Sequence, residues 1–424
     1  MSKESSKTEL KRALNLFDST AISIGAIIGA GIYVVTGVVA GLAGPSLIIS
    51  ILLAGVIASF SALSFAELSA HMPKEGGGYE FTYSLLSPYV GFLAGWMWVF
   101  SNIFIGSAVS LGFAQYLAAV FPFLEESVQI VAAAVCLSFT LLNLVGVRQS
   151  AMVNNALVVA KIAVLAFFVA FGLGFVQTSN FTPFAPRGYL GTLEGAALIF
   201  FAYGGYARVT TVAEEVKTAS RTIPKAIFLG LATSTLLYLL VGFVALGLAN
   251  WQTLEASPSP LADAIAFTGN PLAVLVVSLG AMISTASVLL MAILGVSRMT
   301  FAMARKGQLP SFMNKIHPKF QTPYYAILIT GLLSTVLVFG EFSRVVAVGT
   351  FSLLFHHALV NLSATKLKAE FRRYPVFVPA IGFLFCFTLL IFLSQDAWLI
   401  GIAGLLGGSV YYILANRIPK KQGI

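Results

Sequence analysis

Charge is what this 424-residue chain has least of: only 10% of its residues are Asp, Glu, Lys or Arg, where a soluble domain carries about a quarter. That scarcity excludes an ordinary solvated surface. Cysteine is almost absent as well, and Cys136 and Cys386 both fall inside apolar runs, where they read as small buried hydrophobes. Neither a disulfide framework nor a metal site is expected. The chain also lacks an HExxH helix, a Gly-x-Ser-x-Gly elbow, paired carboxylates within its apolar runs and a TVGYG-like filter, which argues against an intramembrane enzyme and a filter-type channel. No cofactor is implied. Gly76-Gly77-Gly78 lacks the Gly-Lys-Ser/Thr ending of a phosphate loop and opens no βαβ unit.

What is abundant is apolar surface: 58% of residues are hydrophobic, and the mean hydropathy is +0.91. Runs of about 20 apolar residues, the length of helix that crosses a ~30 Å hydrocarbon core, recur from end to end. We place twelve, centred near Ile28, Val56, Ile105, Ala134, Val164, Phe201, Leu236, Ser287, Leu332, Val360, Leu384 and Leu405. They show none of the period-2 alternation of a membrane barrel, so the expected fold class is an all-α integral membrane protein. The first run is too long for a signal-peptide core and no small-residue cleavage site follows it.

Lys and Arg alternate between loops. One set comprises Lys3, Lys7, Lys11 and Arg12, then Arg148, then Lys217, Arg221 and Lys225, then Arg305, Lys306, Lys315 and Lys319, then Lys366, Lys368, Arg372 and Arg373, then Arg417, Lys420 and Lys421. The intervening loops hold Glu125, Glu126, Glu255, Asp263, Glu341 and Asp396 against Arg187 and Arg344. By the positive-inside rule both termini are cytoplasmic. The formal charge of +9 is then a consequence of topology and calls for no nucleic acid. The partners expected are the lipid bilayer and a small-molecule substrate, with no obligate protein partner evident. The expected organisation is a cytoplasmic segment over residues 1–14, one polytopic domain over 15–417 and a cytoplasmic tail over 418–424.

Two of the runs carry glycine at mid-span: Gly29-Ala30-Gly31 in the first and Gly204-Gly205 in the sixth. Glycine in a span also serves close helix packing, and Gly25, Gly29, Gly31 and Gly37 can be read that way. Position favours a second role. Five runs precede the one that holds the second cluster, an odd number, so a second five-helix unit would enter the membrane from the opposite face, as an inverted repeat. Unwinding there frees backbone N–H and C=O groups that lipid cannot satisfy. Amino-terminal helix ends then attract a carboxylate, and free carbonyls attract a cation. A zwitterionic amino acid offers both charges on one carbon.

The stretches IIGAGIY (27–33), FAELSAHMPKEGGGYEF (65–81), FFAYGGYARVTTVAEEVKTASRTIPKAI (200–227) and SRMTFAMARKGQLP (297–310) resemble signatures of the amino acid-polyamine-organocation transporter superfamily. The resemblance implies a leucine-transporter-type fold of twelve transmembrane helices, with 5+5 inverted repeats over about 15–178 and 190–368 and two further helices over about 374–417. It implies alternating access to a central amino acid site. The substrate carboxylate would meet the amides of Gly29, Ala30 and Gly31, and its amine the carbonyls of Ile27, Phe201, Ala202 and Gly204. Phe201 falls where the family often has an aromatic gate, and Tyr203 and Asn102 are further candidates for the lining. Many members carry an acid where this chain has Ala207, followed by Arg208. Without that carboxylate a cationic side chain lacks a partner, so a neutral amino acid is expected ahead of a cationic amino acid or polyamine, the alternative for this fold.

Lys161 lies inside the fifth run. Arg148, about a dozen residues earlier, marks the cytoplasmic end, which puts the ammonium ~20 Å into the span, a long way to snorkel. The resemblance implies that it replaces the sodium ion of sodium-coupled relatives. Its expected contacts are a carbonyl near Gly25 or Ala26 and the hydroxyls of Ser284 and Ser287, which share one helix face at i, i+3. Protons are the candidate coupling ion. Glu214 and Glu215 read as an ion-paired inner end beside Lys217, Arg221 and Lys225, Glu67 as a group near the inner end of the second helix, and His356 and His357 as buried polar lining.

Overall fold

The computed structural model describes residues 12–73, 76–146 and 151–417. Most of the segment 1–14, the whole tail 418–424, Arg148 and the side chain of Glu214 lie outside the described residues. Among the described residues the chain is helical throughout and forms no strand; one isolated parallel bridge joins Leu14 and Val216. Nine helical stretches are long and apolar enough to cross a membrane, and two shorter ones are apolar, so this is a multi-pass membrane protein.

Local chemistry sets the ends of these helices. α1 (Leu16–Ile27) begins at a capping box, in which Asn15 and Asp18 each accept the other's backbone N–H. α1 stops at Ile28, whose φ/ψ of −75/105 is extended; after Gly29 the chain rewinds through a π-type turn (Gly31–Val35) into α2 (Thr36–Ala43). α3 (Leu47–His71) follows, then the short α4 (Gly78–Leu85), entered through Gly76 and Gly77 at φ 102 and 48, a region glycine enters without a Cβ penalty. α5 (Pro88–Val120) starts on a Ser87 cap with proline in its first turn. α6 (Val128–Val145) ends on left-handed Gly146, and α7 (Ala151–Gly172) carries Lys161.

α8 (Gly188–Ile199) does not break at Gly204-Gly205 as the sequence suggests. It tightens instead into a 3-10 winding over Phe200–Glu215, with one non-helical residue, Val212. The tighter winding leaves carbonyls poorly aimed, and hydroxyls collect on them: Tyr238 on Ala202, Ser23 on Tyr206, Thr210 on Ala207 and Thr211 on Arg208. α9 (Ala219–Leu248), α10 (Trp251–Ala256), α11 (Pro260–Ala266) and α12 (Pro271–Arg305) come next, then α13 (Tyr324–Leu337), α14 (Phe342–Ala364), α15 (Phe377–Ile391) and α16 (Gln395–Arg417).

α5 packs along α12 and α14, α3 along α9, and α1 crosses the 3-10 segment. At that crossing glycine is needed for closeness. A Cβ on Gly31 would lie 2.6 Å from the Ala202 Cα, and one on Gly205 would lie 2.2 Å from the Ala26 carbonyl. Each interruption therefore rests on the other's backbone. Arg187 pairs with Glu255 at 3.0 Å and Arg344 with Asp396 at 2.9 Å. Glu215 differs from expectation: its backbone carbonyl accepts from Ala13 and Leu14 N–H at 3.0 Å, and no ion pair joins it to Lys217, Arg221 or Lys225 among the described residues. The charge solvates that end while the backbone ties the chain start to it. Glu67 is buried, accepting Arg373 and Tyr374 backbone N–H at 2.5 and 3.1 Å, which gives it a capping role at the entry to α15.

Candidate functional site

Where α1 ends, its last carbonyls run out of partners within the helix, and three at the break accept from side chains of other helices. Ile24 O accepts the Ile28 N–H at 2.9 Å. Gly25 O and Ile28 O accept from the Lys161 ammonium at 2.9 and 3.1 Å. Ile27 O accepts from the Tyr238 hydroxyl at 2.8 Å, and that hydroxyl also lies 3.3 Å from Ala202 O. The negative end of the α1 dipole thus faces the Lys161 amino group. Lys161 is fully buried, and Asn155 reinforces the same packing by donating to Asp18 at 2.7 Å. Ser284 and Ser287 are buried on α12, but both carbonyl bonds to Lys161 come from α1, and neither serine hydroxyl has a hydrogen-bond partner among the described residues.

Beside this junction lies a small cavity of about 30 Å3, room for one or two water molecules. Ile27, Gly29, Ala30 and Gly31 line it from the α1 interruption, Phe201, Ala202 and Gly204 from the 3-10 segment, and Asn102 from α5. Two of the candidates fall elsewhere. Tyr203 turns away, its hydroxyl donating to Ile51 O on α3 at 3.1 Å, because its ring stacks edge-on against Tyr238. Ala207 lines an adjoining smaller cavity together with His356, Thr210 and Gly78. His356 hydrogen-bonds Ala94 O through Nδ1 at 2.9 Å, and His357 does the same with Leu353 O at 2.7 Å; both are buried, and of the two His356 lines the smaller cavity.

Several lining residues were not named for the site from the sequence, Trp98, Val288, Leu353 and Arg208 among them. Trp98 is one helical turn from Asn102, which donates to its carbonyl at 2.8 Å; the i, i+4 spacing was the available signal. Val288 and Leu353 complete an apolar wall, facing Gly29 and Gly204. Arg208 lines it too, donating to Asn102 Oδ1 at 2.8 Å and Met291 O at 2.6 Å. The cavity therefore combines helix-end backbone, apolar walls and an arginine, with no carboxylate in its lining. It holds no nucleophile–base pair, and among the described residues no group of His, Cys, Asp and Glu could hold a metal ion.

The family model described as amino acid permease matches residues 14–403. The chain belongs to the amino acid permease family. This permease is therefore a transporter of the amino acid-polyamine-organocation superfamily and not an enzyme. It is 33% identical to the branched-chain amino acid permease BcaP of Bacillus subtilis (strain 168), across 98% of this chain and 96% of the relative. It is 32% identical to the methylthioribose transporter of the same organism, over 98% and 96% of the two chains. The mitochondrial cationic amino acid transporter 3 of Arabidopsis thaliana is 32% identical, over 81% of this permease and 60% of the plant protein.

Proposed function

We propose that this permease is a secondary active transporter that moves neutral amino acids across the cell membrane by alternating access, without sodium and coupled to protons, with both termini cytoplasmic. Leu16–His71 spans 56 residues, ~84 Å as continuous helix, more than twice a ~30 Å core, and it turns at Ile28–Gly29 and at Gly44. Counted as two passes, with the other eight long helices and the two shorter ones, it gives twelve. The first repeat would run over about 15–178 and the second over about 190–368, within one domain spanning 15–417.

The observation that carries the reading is the crossing of the interrupted α1 with the 3-10 segment beside a cavity that lacks a carboxylate. Amides at the restart of the first helix suit a substrate carboxylate, and the carbonyls of Ile27 and Ala202 suit its amine. Lys161 supplies the charge that sodium supplies elsewhere, and its proton is the candidate for coupling. The cavity is too small for any amino acid, so loading requires α1 or the 3-10 segment to move, as alternating access demands. The plant relative's name favours a second reading, a cationic amino acid or polyamine exchanger; a cavity with arginine and no acid disfavours it. Uptake into proteoliposomes with and without a pH gradient, using labelled leucine, alanine and arginine, separates the two. Saturable leucine uptake driven by an inward proton gradient is expected, and arginine uptake exceeding leucine uptake would overturn the neutral assignment.

A further inference from the structure

Arg208 is a cation inside a membrane-spanning segment that the transport reading leaves without a task. It lines both the central cavity and the smaller one adjoining it, so it stands between them. Its guanidinium has five N–H donors, and its hydrogen bonds go to neutral acceptors, Met291 O at 2.6 Å and Asn102 Oδ1 at 2.8 Å. No carboxylate pairs with it among the described residues, and neither cavity has an acidic side chain in its lining. Charges at this depth ordinarily pair with one another or mark a substrate path.

The surroundings hold the group in place. Asn102 donates through Nδ2 to Trp98 O at 2.8 Å, which turns its Oδ1 toward Arg208. Gly295 on α12 gives the fork its space: a Cβ there would lie 3.0 Å from the Trp98 ring and 3.4 Å from Arg208 Nη1. An oriented guanidinium beside a cavity is matched to a planar oxyanion, which it can bind through two parallel N–H bonds.

We infer that Arg208 is a substrate-binding residue that receives a side-chain carboxylate, so that the site takes acidic amino acids in addition to neutral ones and rejects cationic ones. The inference rests on the amino acid transport reading of the same cavity. Under that reading the α-carboxylate goes to the Gly29–Gly31 amides, while Arg208 lines the same cavity from the 3-10 segment, which leaves it for a second anion on the same molecule. Asn102 would act as the positioning residue.

The test is inhibition of labelled leucine uptake in proteoliposomes of the full chain by unlabelled glutamate, aspartate, glutamine, asparagine and arginine. Glutamate and aspartate should inhibit at roughly tenfold lower concentration than their amides, the size expected of a hydrogen bond to a charged group, with arginine weakest. In Arg208→Gln the acid-to-amide ratio should fall to about one, and Arg208→Lys, which keeps the charge without the fork, should retain part of it. Acids no better than amides in the wild type would overturn the inference whether or not the variants fold. An undiminished ratio in Arg208→Gln would overturn it too. Equal losses for glutamate and glutamine, with the ratio kept, would assign Arg208 to the α-carboxylate or to packing. Absence of saturable leucine and glutamate uptake in the wild type would instead strike at the transport reading itself.

Discussion

Gly31→Ala offers the sharpest probe of the crossing on which the site depends. The added Cβ would lie 2.4 Å from the Ala202 Cβ and 2.6 Å from its Cα, whereas carbon atoms rest ~3.5–4.0 Å apart. The obstacle is backbone, so no rotamer change relieves it, and the Gly31–Val35 turn must withdraw from the 3-10 segment by roughly 1 Å. Overpacking of this kind costs about 1–3 kcal/mol. If the substrate-bound state needs the crossing intact, affinity falls about 5- to 150-fold. A valine at this position would act the same way, through Ala202 of the 3-10 segment. The control is Gly407→Ala on α16, where an added Cβ meets nothing within 4 Å. Thermal unfolding in detergent and labelled leucine binding should both worsen for Gly31→Ala and stay close to wild type for Gly407→Ala. Wild-type melting and affinity in Gly31→Ala would refute the claim that the two interruptions are packed backbone to backbone.

Tyr238→Phe removes the hydroxyl from Ile27 O and Ala202 O and should cost about 1–3 kcal/mol of stability as buried acceptors lose their donor; substrate should then raise the melting temperature more than in wild type, because its ammonium takes over those carbonyls. An unchanged melting temperature counts against that assignment. Competition for leucine uptake should rank alanine, leucine and phenylalanine ahead of lysine and arginine, and stronger inhibition by arginine sinks the preference drawn from Ala207. Lys161→Ala should lose proton-driven accumulation, read as uptake with and without a pH gradient; wild-type proton-driven uptake in that variant would move the coupling away from Lys161.

The membrane-spanning class was legible because it depends on composition, and the α1 interruption because glycine and alanine at mid-span remove the side chains that would stop two backbones touching. The position of the break was less so. It falls at Ile28–Gly29, where Lys161 and Tyr238 take the carbonyls, and those partners come from α7 and α9, far along the chain. The winding of the sixth run was not legible: Gly204 and Gly205 signal freedom, while the choice of a 3-10 path follows from close contact with Ala26 and from hydroxyls on Tyr238, Ser23, Thr210 and Thr211. The direction of a side chain likewise depends on the third dimension. Tyr203 sits one residue from cavity-lining Ala202 and Gly204, yet it faces α3. Arg208 was visible as a charge, but its place in the cavity wall required the lateral space that Gly295 leaves on α12.

Lys161 and Arg208 each hold backbone that flanks the cavity, Gly25 and Ile28 in one case and Met291 in the other, in a way that bears on transport. Lys161 holds Ile28 O from behind, and the next residue, Gly29, lines the cavity. Any movement of α1 away from α7 must therefore break a charge-assisted hydrogen bond at the edge of the site, and any loss of the Lys161 proton weakens the same contact. Arg208 lines the cavity from the 3-10 segment and is joined to α5 and α12 through Asn102 and Met291, so movement of the 3-10 segment alone must break those bonds. A substrate bridging the amides of α1 and the guanidinium of Arg208 would tie both moving segments together. Under the proposed function, Lys161 then sets which way α1 leans, while the substrate decides whether the 3-10 segment goes with it.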